Sequence, residues 1–563
     1  MIRTKITKRK TIAAKFTVLT ALVFIPLILI GAFGGFIGFF FNDLASHAFS
    51  RELNFYDPNE WNSMSTISSS LDEMDDLADF YQLRQLPNET SGVNYHTPIN
   101  LSVNCDRWTT VALNNTVRRY HLTDNAGLYT GASLATECIR YKTLTNPAEQ
   151  VESLKLIKRL ATGLSMLMAV PNGGLGPKFP GQTLARFYAM PEQWNDANYS
   201  EMFSDTHYKM FNGTDGTAMG GEDYSQWRVR LYTSKDELGG YFFGLAAAIK
   251  LIDNPEVEAE VEIRDIIRKI IGQIANGFLD SMYQEVHGDG NPCGAHLENM
   301  FTLTGEWKMV LMKMATLAYP ENDRYAQLYN YYCTREMYQA HSPHIGESNT
   351  VDEYYANGFT HNMLMAYVLM EDNPTQVDRF IKTHERDYKL FRYQRNAQTN
   401  AVFLAFNAKR SSTSTRYNQS ELDEILHDTL DQLYQFTAYP IYDDSYGGAD
   451  KAVRREDLGG DWMILDPKIQ KWKNFFDYNP IGKLFRWLPG ELMDGMLDDR
   501  YLKPRTVSMY RVDTFIWNSN PYSPTDNIWS FIRRSSDYVE ERIGISYTLP
   551  YYLLKYYGYL EGL

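Results

Sequence analysis

The sequence predicts an all-α domain of repeated helical hairpins, closed into a double ring and carried on one membrane anchor. Two observations carry this. From about residue 120 a pattern recurs: a turn with an acidic or amide residue, a small-residue-rich apolar helix, then a polar amphipathic helix. Before it, Phe16 to Phe41 is a run of 26 residues without a charged side chain, and nothing comparable follows.

The anchor comes first in the chain. A span needs about 20 apolar residues, so 16–41 crosses a bilayer with some tilt. Arg3, Lys5, Lys8, Arg9, Lys10 and Lys15 precede it, and Asp43 and Arg51 follow. That asymmetry keeps residues 1–15 in the cytoplasm and the bulk of the chain on the lumenal or extracellular side, as a single-pass protein. The rival is a cleaved signal peptide. Its apolar core runs about 7–15 residues, shorter than here, and Ala45 to Ala48 matches a cleavage site only loosely.

Bulk composition bounds the partners. Charged residues are 22% and hydrophobic residues 44%, so the chain folds. Net charge is −14 despite the basic head, which disfavours nucleic acid and polyanionic partners, since both need basic surfaces. Cys105, Cys138, Cys293 and Cys333 permit two disulfides in an exported domain. Neighbours in sequence suggest Cys105–Cys138 and Cys293–Cys333, although three connectivities exist, and buried free thiols are the alternative. Sequons stand at Asn88, Asn100, Asn114, Asn198, Asn212 and Asn418, all beyond the anchor.

Residues 42–109 read as a stalk and lead-in, with a serine-rich run at Ser63 to Ser70 and an acidic helix over Leu71 to Phe80. Asp124 to Thr136 opens the first inner helix. Val151 to Val170 is its amphipathic partner, with Leu154, Ile157, Leu160, Ala161, Leu164 and Leu167 at helical spacing. Breakers from Pro171 to Gly181 forbid regular structure. Ser234-x-x-Glu237 reads as a capping box before Leu238 to Ile249, whose glycines and alanines let helices approach closely. Glu256 to Met282 returns. Trp307 to Leu317 and Asp323 to Tyr338 form a third unit. A fourth has a box at Thr350 to Glu353, an inner helix through Gly358 to Tyr367, and a return over Gln376 to Phe391. Tyr547 to Tyr559 is an aromatic closing helix, and 437–530 is irregular with a short hairpin. Small residues suit a crowded inner ring and amphipathic helices an outer one. An ordinary bundle or an open solenoid shares this periodicity.

The arrangement resembles the (α/α) toroid of six-hairpin glycosidases and related polysaccharide-active proteins. Thr233-Ser-Lys-Asp-Glu-Leu-Gly-Gly-Tyr-Phe-Phe-Gly-Leu-Ala246 resembles a motif of bacterial toroid proteins without a firm assigned activity. Pro180-Gly-Gln-Thr-Leu-Ala-Arg186 and Leu549-Pro-Tyr-Tyr-Leu-Leu-Lys-Tyr-Tyr-Gly558 resemble other segments of that group. The resemblance covers roughly 110–560 and implies one toroid domain over 110–563. It also implies a ligand funnel at one end of the inner ring and action on glycans. In most members the bond cut is glycosidic, and some are uronate lyases or epimerases.

Glycoside hydrolysis needs two carboxyl groups flanking the bond. Inner-helix starts offer Asp124, Asp236, Asp352 and Glu353, where acids also serve as caps. Asp236 and Asp352 are the candidate catalytic carboxyls, with His361 as a further acid or base, or else a hydrogen-bonded core histidine. Asp124, Tyr241, Tyr355 and Trp517 are candidate substrate contacts, because aromatic faces stack on sugars as well as packing loops. His287, Cys293, His296 and Glu298 match no strong zinc spacing, and Asp443 to Asp450 lacks the EF-hand pattern, so no metal is expected. No P-loop, dinucleotide fingerprint or nucleophile elbow occurs, so no cofactor is implied. The expected function is that of a membrane-anchored, extracytoplasmic glycoside hydrolase-like enzyme with a glycan or polysaccharide ligand. The alternatives are a non-catalytic carbohydrate-binding or scaffold protein, and a uronate lyase or epimerase.

Overall fold

The structure is a computed structural model that describes residues 58–108, 116–121, 125–181, 183–199, 210–286, 292–297, 305–340, 354–392, 396–411, 417–438, 538–541 and 543–563, with Tyr478 and Lys483. Helix dominates, at 64% against 7% strand. No helix among the described residues is long and apolar enough to cross a membrane, and the expected anchor at 16–41 lies outside them, as does nearly all of 437–530.

Twelve longer helices among the described residues follow in pairs. After α1 (Leu71–Leu83) come α2 (Ala126–Tyr141) with α3 (Pro147–Asn172), and α4 (Lys235–Leu251) with α5 (Glu258–Asp280). Next are α6 (Gly305–Ala318) with α7 (Asp323–Tyr331), α8 (Tyr354–Met370) with α9 (Pro374–Phe391), and α10 (Ala397–Lys409) with α11 (Gln419–Ala438). The last is α12 (Ile545–Tyr556), which packs back on α1. Asparagines start many of the helices: Asn146, Asn322 and Asn373 accept from backbone N–H groups in the first turns of α3, α7 and α9, and Asn396 does so for α10. The α10–α11 pair is a hairpin that the hydrophobic pattern does not predict.

Contacts among the even-numbered helices return to their start. Helix α2 packs on α4, α4 on α8, α8 on α10, α10 on α12 and α12 on α2, while α6 touches both α4 and α8. All six run the same way, because their C-terminal ends meet. Lys250 in the last turn of α4 pairs with Asp372 beyond α8 at 2.5 Å. Lys313 of α6 pairs with Glu371 at 3.2 Å. Lys409 at the end of α10 donates to the Val368 and Glu371 carbonyls. Arg140 near the end of α2 and Tyr552 of α12 share Asp79 of α1, at 2.8 and 2.6 Å.

The α2–α4 crossing is backbone on backbone. A Cβ on Gly131 would sit 2.0 Å from the Gly240 carbonyl oxygen, and one on Gly244 would sit 2.6 Å from that of Gly131. Only glycine admits this approach, as the small-residue pattern of the inner helices anticipates.

The reading of 42–109 as a stalk is corrected from residue 58 onward. Ile67, Met74, Ala78 and Tyr81 are buried in the common core. Strand β1 (Cys105–Trp108) lies between β2 (Val117–Tyr120) and β8 (Tyr538–Glu541), antiparallel to both. A second sheet joins β3 (Phe187–Ala189), β5 (Arg228–Arg230) and β4 (Met210–Asn212), and β6 (Gln284–Val286) pairs with β7 (Pro292–His296). Glu541 of β8 is fully buried and takes both arms of Arg84 at 2.7 and 3.1 Å. It also accepts from Arg107 at 3.0 Å and faces His96 Nε2 at 3.1 Å.

The expected disulfides are corrected as well. Cys105, Cys138 and Cys333 are free and buried. Cys105 sits mid-sheet opposite Tyr120 and Glu541, and Cys138 lies in the core face of α2, where a thiol packs as a small apolar group. Burial pushes all three thiols up, Cys333 to about 11.

Three outcomes follow from this packing. Gly131→Ala should destabilise the fold by about 3 kcal/mol or more in denaturant titrations, because the new methyl meets backbone that cannot swing away. Glu541→Gln should cost about 3–5 kcal/mol, since it strands buried arginines. Burial pushes the Glu541 carboxyl up, but the bonds from His96 and Arg84 outweigh it and hold the group well below the usual range. Its stabilisation is therefore present at neutral pH and fades as pH falls below about 4.3, a dependence that the Gln variant should lack. Native protein should expose at most one thiol to a disulfide-exchange reagent, and denatured protein four; fewer after denaturation would restore a bridge.

Candidate functional site

With the C-terminal ends of the six helices gathered at one end, their first turns gather at the other. Two of these entries are rich in polar groups. The chain reaches α4 from β5 through Tyr232, whose φ of 70° is left-handed, a conformation costing about 1–3 kcal/mol in a residue with a side chain. Thr233 Oγ1 then donates to the Leu184 carbonyl at 2.7 Å. Arg186 donates to the Tyr232 carbonyl at 2.7 Å and to Ser234 Oγ at 2.8 Å. Segments 180–186 and 233–237, quoted separately for the toroid resemblance, are thus bound to each other.

The expected capping box at this entry is replaced. Ser234 Oγ makes no cap to α4. Glu237 instead reaches across to α2, where its carboxylate accepts from the Leu128 backbone N–H at 3.0 Å. It satisfies an orphan donor of a neighbouring helix and favours that helix's positive end.

The entry to α6 holds a carboxyl, an ammonium and phenols together. Glu306 stands in the first turn and is 3% exposed; Lys308, one turn in, is 1% exposed. The Lys308 ammonium lies 4.4 Å from the centre of the Tyr283 ring, 4.8 Å from Tyr332 and 5.7 Å from Tyr338. The Tyr283 and Tyr332 hydroxyls are hydrogen-bonded to each other. Met282, Tyr283 and Met337 around this cage all have positive φ, at 53°, 64° and 55°. A carboxyl, a cation and aromatic rings are thus packed together at this entry.

Of the expected catalytic residues, Asp236 lies in the first turn of α4, with its side chain outside the described residues. Asp352 lies outside them, as do Asp124, Trp517 and Asn114. Tyr355 is in the first turn of α8, its side chain likewise undescribed. His361 is fully buried, edge-to-face with His384 of α9 at 5.5 Å, the setting of the core histidine that the sequence also allowed. Tyr241 is buried and donates to the Leu164 carbonyl of α3 at 2.6 Å. Asn88, Asn198, Asn212 and Asn418 are exposed, while Asn100 is half-buried with φ of 62°. His287 and Glu298 of the loose metal-like cluster lie outside the described residues.

Glu306 and Lys308 are not among the sequence candidates, although the rule that selected Asp236 and Asp352, acids at inner-helix starts, applies equally to Glu306. Arg230, fully buried in β5, carries no local signal at all. Comparison of the chain with protein-family models, with curated proteins and with solved structures found no match.

Proposed function

We propose that this chain is a membrane-anchored, extracytoplasmic enzyme that acts on a glycan at the helix-entry end of an (α/α) toroid. The observation that carries the reading is a closed cycle of five helices of common direction flanked by a sixth, α6, with a carboxyl in the first turns of both α4 and α6. The cycle and its antiparallel outer partners support a double ring. The charge-free run 16–41 behind a basic head supports the anchor, and the exposed sequons at Asn88, Asn198, Asn212 and Asn418 agree with an exported domain.

In this reading Glu306 and Asp236 share the work of glycosidic cleavage. Helices α4 and α6 are neighbours, and Phe242 packs near Trp307 with ring centres 6.5 Å apart. Glu306 donates a proton to the leaving oxygen, and Asp236 activates water or attacks. The phenols of Tyr283, Tyr332 and Tyr338 offer faces for sugar rings, and Lys308 holds them together. A second reading, uronate lyase or epimerase, is favoured by one feature: an ammonium set against phenols, the pairing that C5 proton abstraction uses.

The test is a panel of neutral and uronate-containing oligosaccharides with the full chain in detergent. Glu306→Gln and Asp236→Asn, with unchanged circular dichroism, should each lower cleavage by about 10²–10⁴-fold. Wild-type rates in both variants would remove the assignment. Proton exchange at C5 without cleavage would select the second reading. Binding without turnover by the wild type would make the chain a carbohydrate-binding or scaffold protein.

A further inference from the structure

Strand β2 runs toward α2, and β8 leads into α12, so the sheet β2-β1-β8 borders the same end of the molecule as the entries to α4 and α6. Its strands carry three arginines, Arg107, Arg118 and Arg119, against three carboxylates, Asp106, Glu540 and Glu541, in a chain of net charge −14. Its two buried carboxylates, Asp106 and Glu541, are met by Arg84, Arg107, Arg118 and Arg119 and by two histidines. Around Glu541 the cations are inward and spent. Around Asp106 they are partly exposed.

Arg118 Nη1 donates to Asp106 Oδ2 at 2.8 Å, Arg119 Nε to the same oxygen at 2.5 Å, and His121 Nε2 lies 2.8 Å from Oδ1. Asp106 is 2% exposed, but the Arg118, Arg119 and His121 side chains are 29%, 24% and 21% exposed. Burial pushes the Asp106 carboxyl up, yet the bonds from His121 and Arg119 outweigh it, so it stays ionised as their tether. One carboxylate thus holds two guanidiniums and an imidazole at the surface. Arg118 engages it through Nη1 alone, leaving Nε and Nη2 for another acceptor. Its guanidinium lies 4.2 Å from the centre of the Tyr538 ring and 5.5 Å from that of Trp108, two half-buried rings set edge to face at 6.4 Å.

We infer that Arg118, Arg119 and His121, with Trp108 and Tyr538, form a subsite for a carboxylated or sulfated sugar of the glycan ligand. The inference rests on the glycan reading and names the substrate class for it. A planar guanidinium with two unused donors takes a carboxylate or sulfate as a fork, and the adjacent rings supply the apolar face that a pyranose stacks on. An anionic membrane surface fits less well, because lipid-reading segments use about 4–8 basic residues in an open cluster and need no aromatic platform.

The test titrates full chain in detergent with a sulfated hexasaccharide and its desulfated counterpart, by calorimetry, at low and high salt. The sulfated form should bind about tenfold tighter at low salt, and Arg118→Gln should abolish that preference. If Arg118→Gln melts early, Arg118→Lys keeps the charge beside Asp106 but loses the fork, and the preference should still fall. Equal affinity for the two sugars, or a preference untouched by either variant, overturns the subsite. So does Arg118-dependent binding to phosphatidylserine vesicles with none to the sulfated sugar. Turnover followed in the same samples separates the readings. Preference without cleavage removes only the catalytic assignment, and cleavage without preference removes only the subsite.

Discussion

Everything at the helix-entry end depends on how closely α2 and α4 approach. Gly131, Gly240 and Gly244 place one backbone directly on the other, and no larger residue at these points leaves room for that contact. The approach has an electrostatic consequence. Bringing the two helices together brings Glu237 within reach of the α2 N-terminus, where it accepts from Leu128. A side chain that would ordinarily cap its own helix is thereby committed to its neighbour, and the Ser234 hydroxyl is left to receive Arg186. The glycine contact thus sets the polar wiring of the entry to α4 as well as its packing.

The second constraint is closure between the ends of the chain. β1 pairs with β8, and α12 packs on α1 and α2. These contacts join segments more than 400 residues apart, so they form against a large loop-closure entropy and late in folding. The molecule secures them with buried charge as well as apolar surface. Glu541 gathers Arg84, Arg107 and His96, and Asp79 joins Arg140 to Tyr552. Such groups add little net stability over an apolar core, but they are costly to mismatch. They specify which strand closes the sheet, a task that the interchangeable small-residue surfaces of the inner helices cannot perform.

The same distinction explains what the sequence revealed. Helices with a one-sided apolar stripe, such as α3 and α5, were legible almost to their ends, because periodicity reports a face against solvent. Inner helices were legible through glycine and alanine where these dominate, as in α4. The α10–α11 hairpin escaped, since Gln398, Thr399 and Asn400 of α10 are buried although polar. Their partners, among them Asn362 for Gln398 and Asp428 for Asn400, lie on other helices. The short strands escaped for the same reason: three- and four-residue segments are defined by partners far along the chain. For His361 and Tyr241 the sequence left the helical phase open. Both lie on inner helices, but a helix offers several directions, and these two side chains face the outer layer.

The two ends of this set of six helices therefore differ in kind. At the C-terminal end, partial negative charge on the last carbonyls draws cations, and Lys409 answers it by donating to Val368 and Glu371, while Lys250 and Lys313 pair with Asp372 and Glu371. Those lysines are consumed by the fold. At the opposite end the dipoles present their positive poles, so further cations there oppose the helix field unless something compensates them. Yet Arg118, Arg119, Arg186 and Arg230 are concentrated near the segments that lead into α2 and α4. Asp106 ties Arg118 and Arg119 there, and Arg186 is spent on the Tyr232 carbonyl and the Ser234 hydroxyl, so these cations are held by polar partners that offset the helix field.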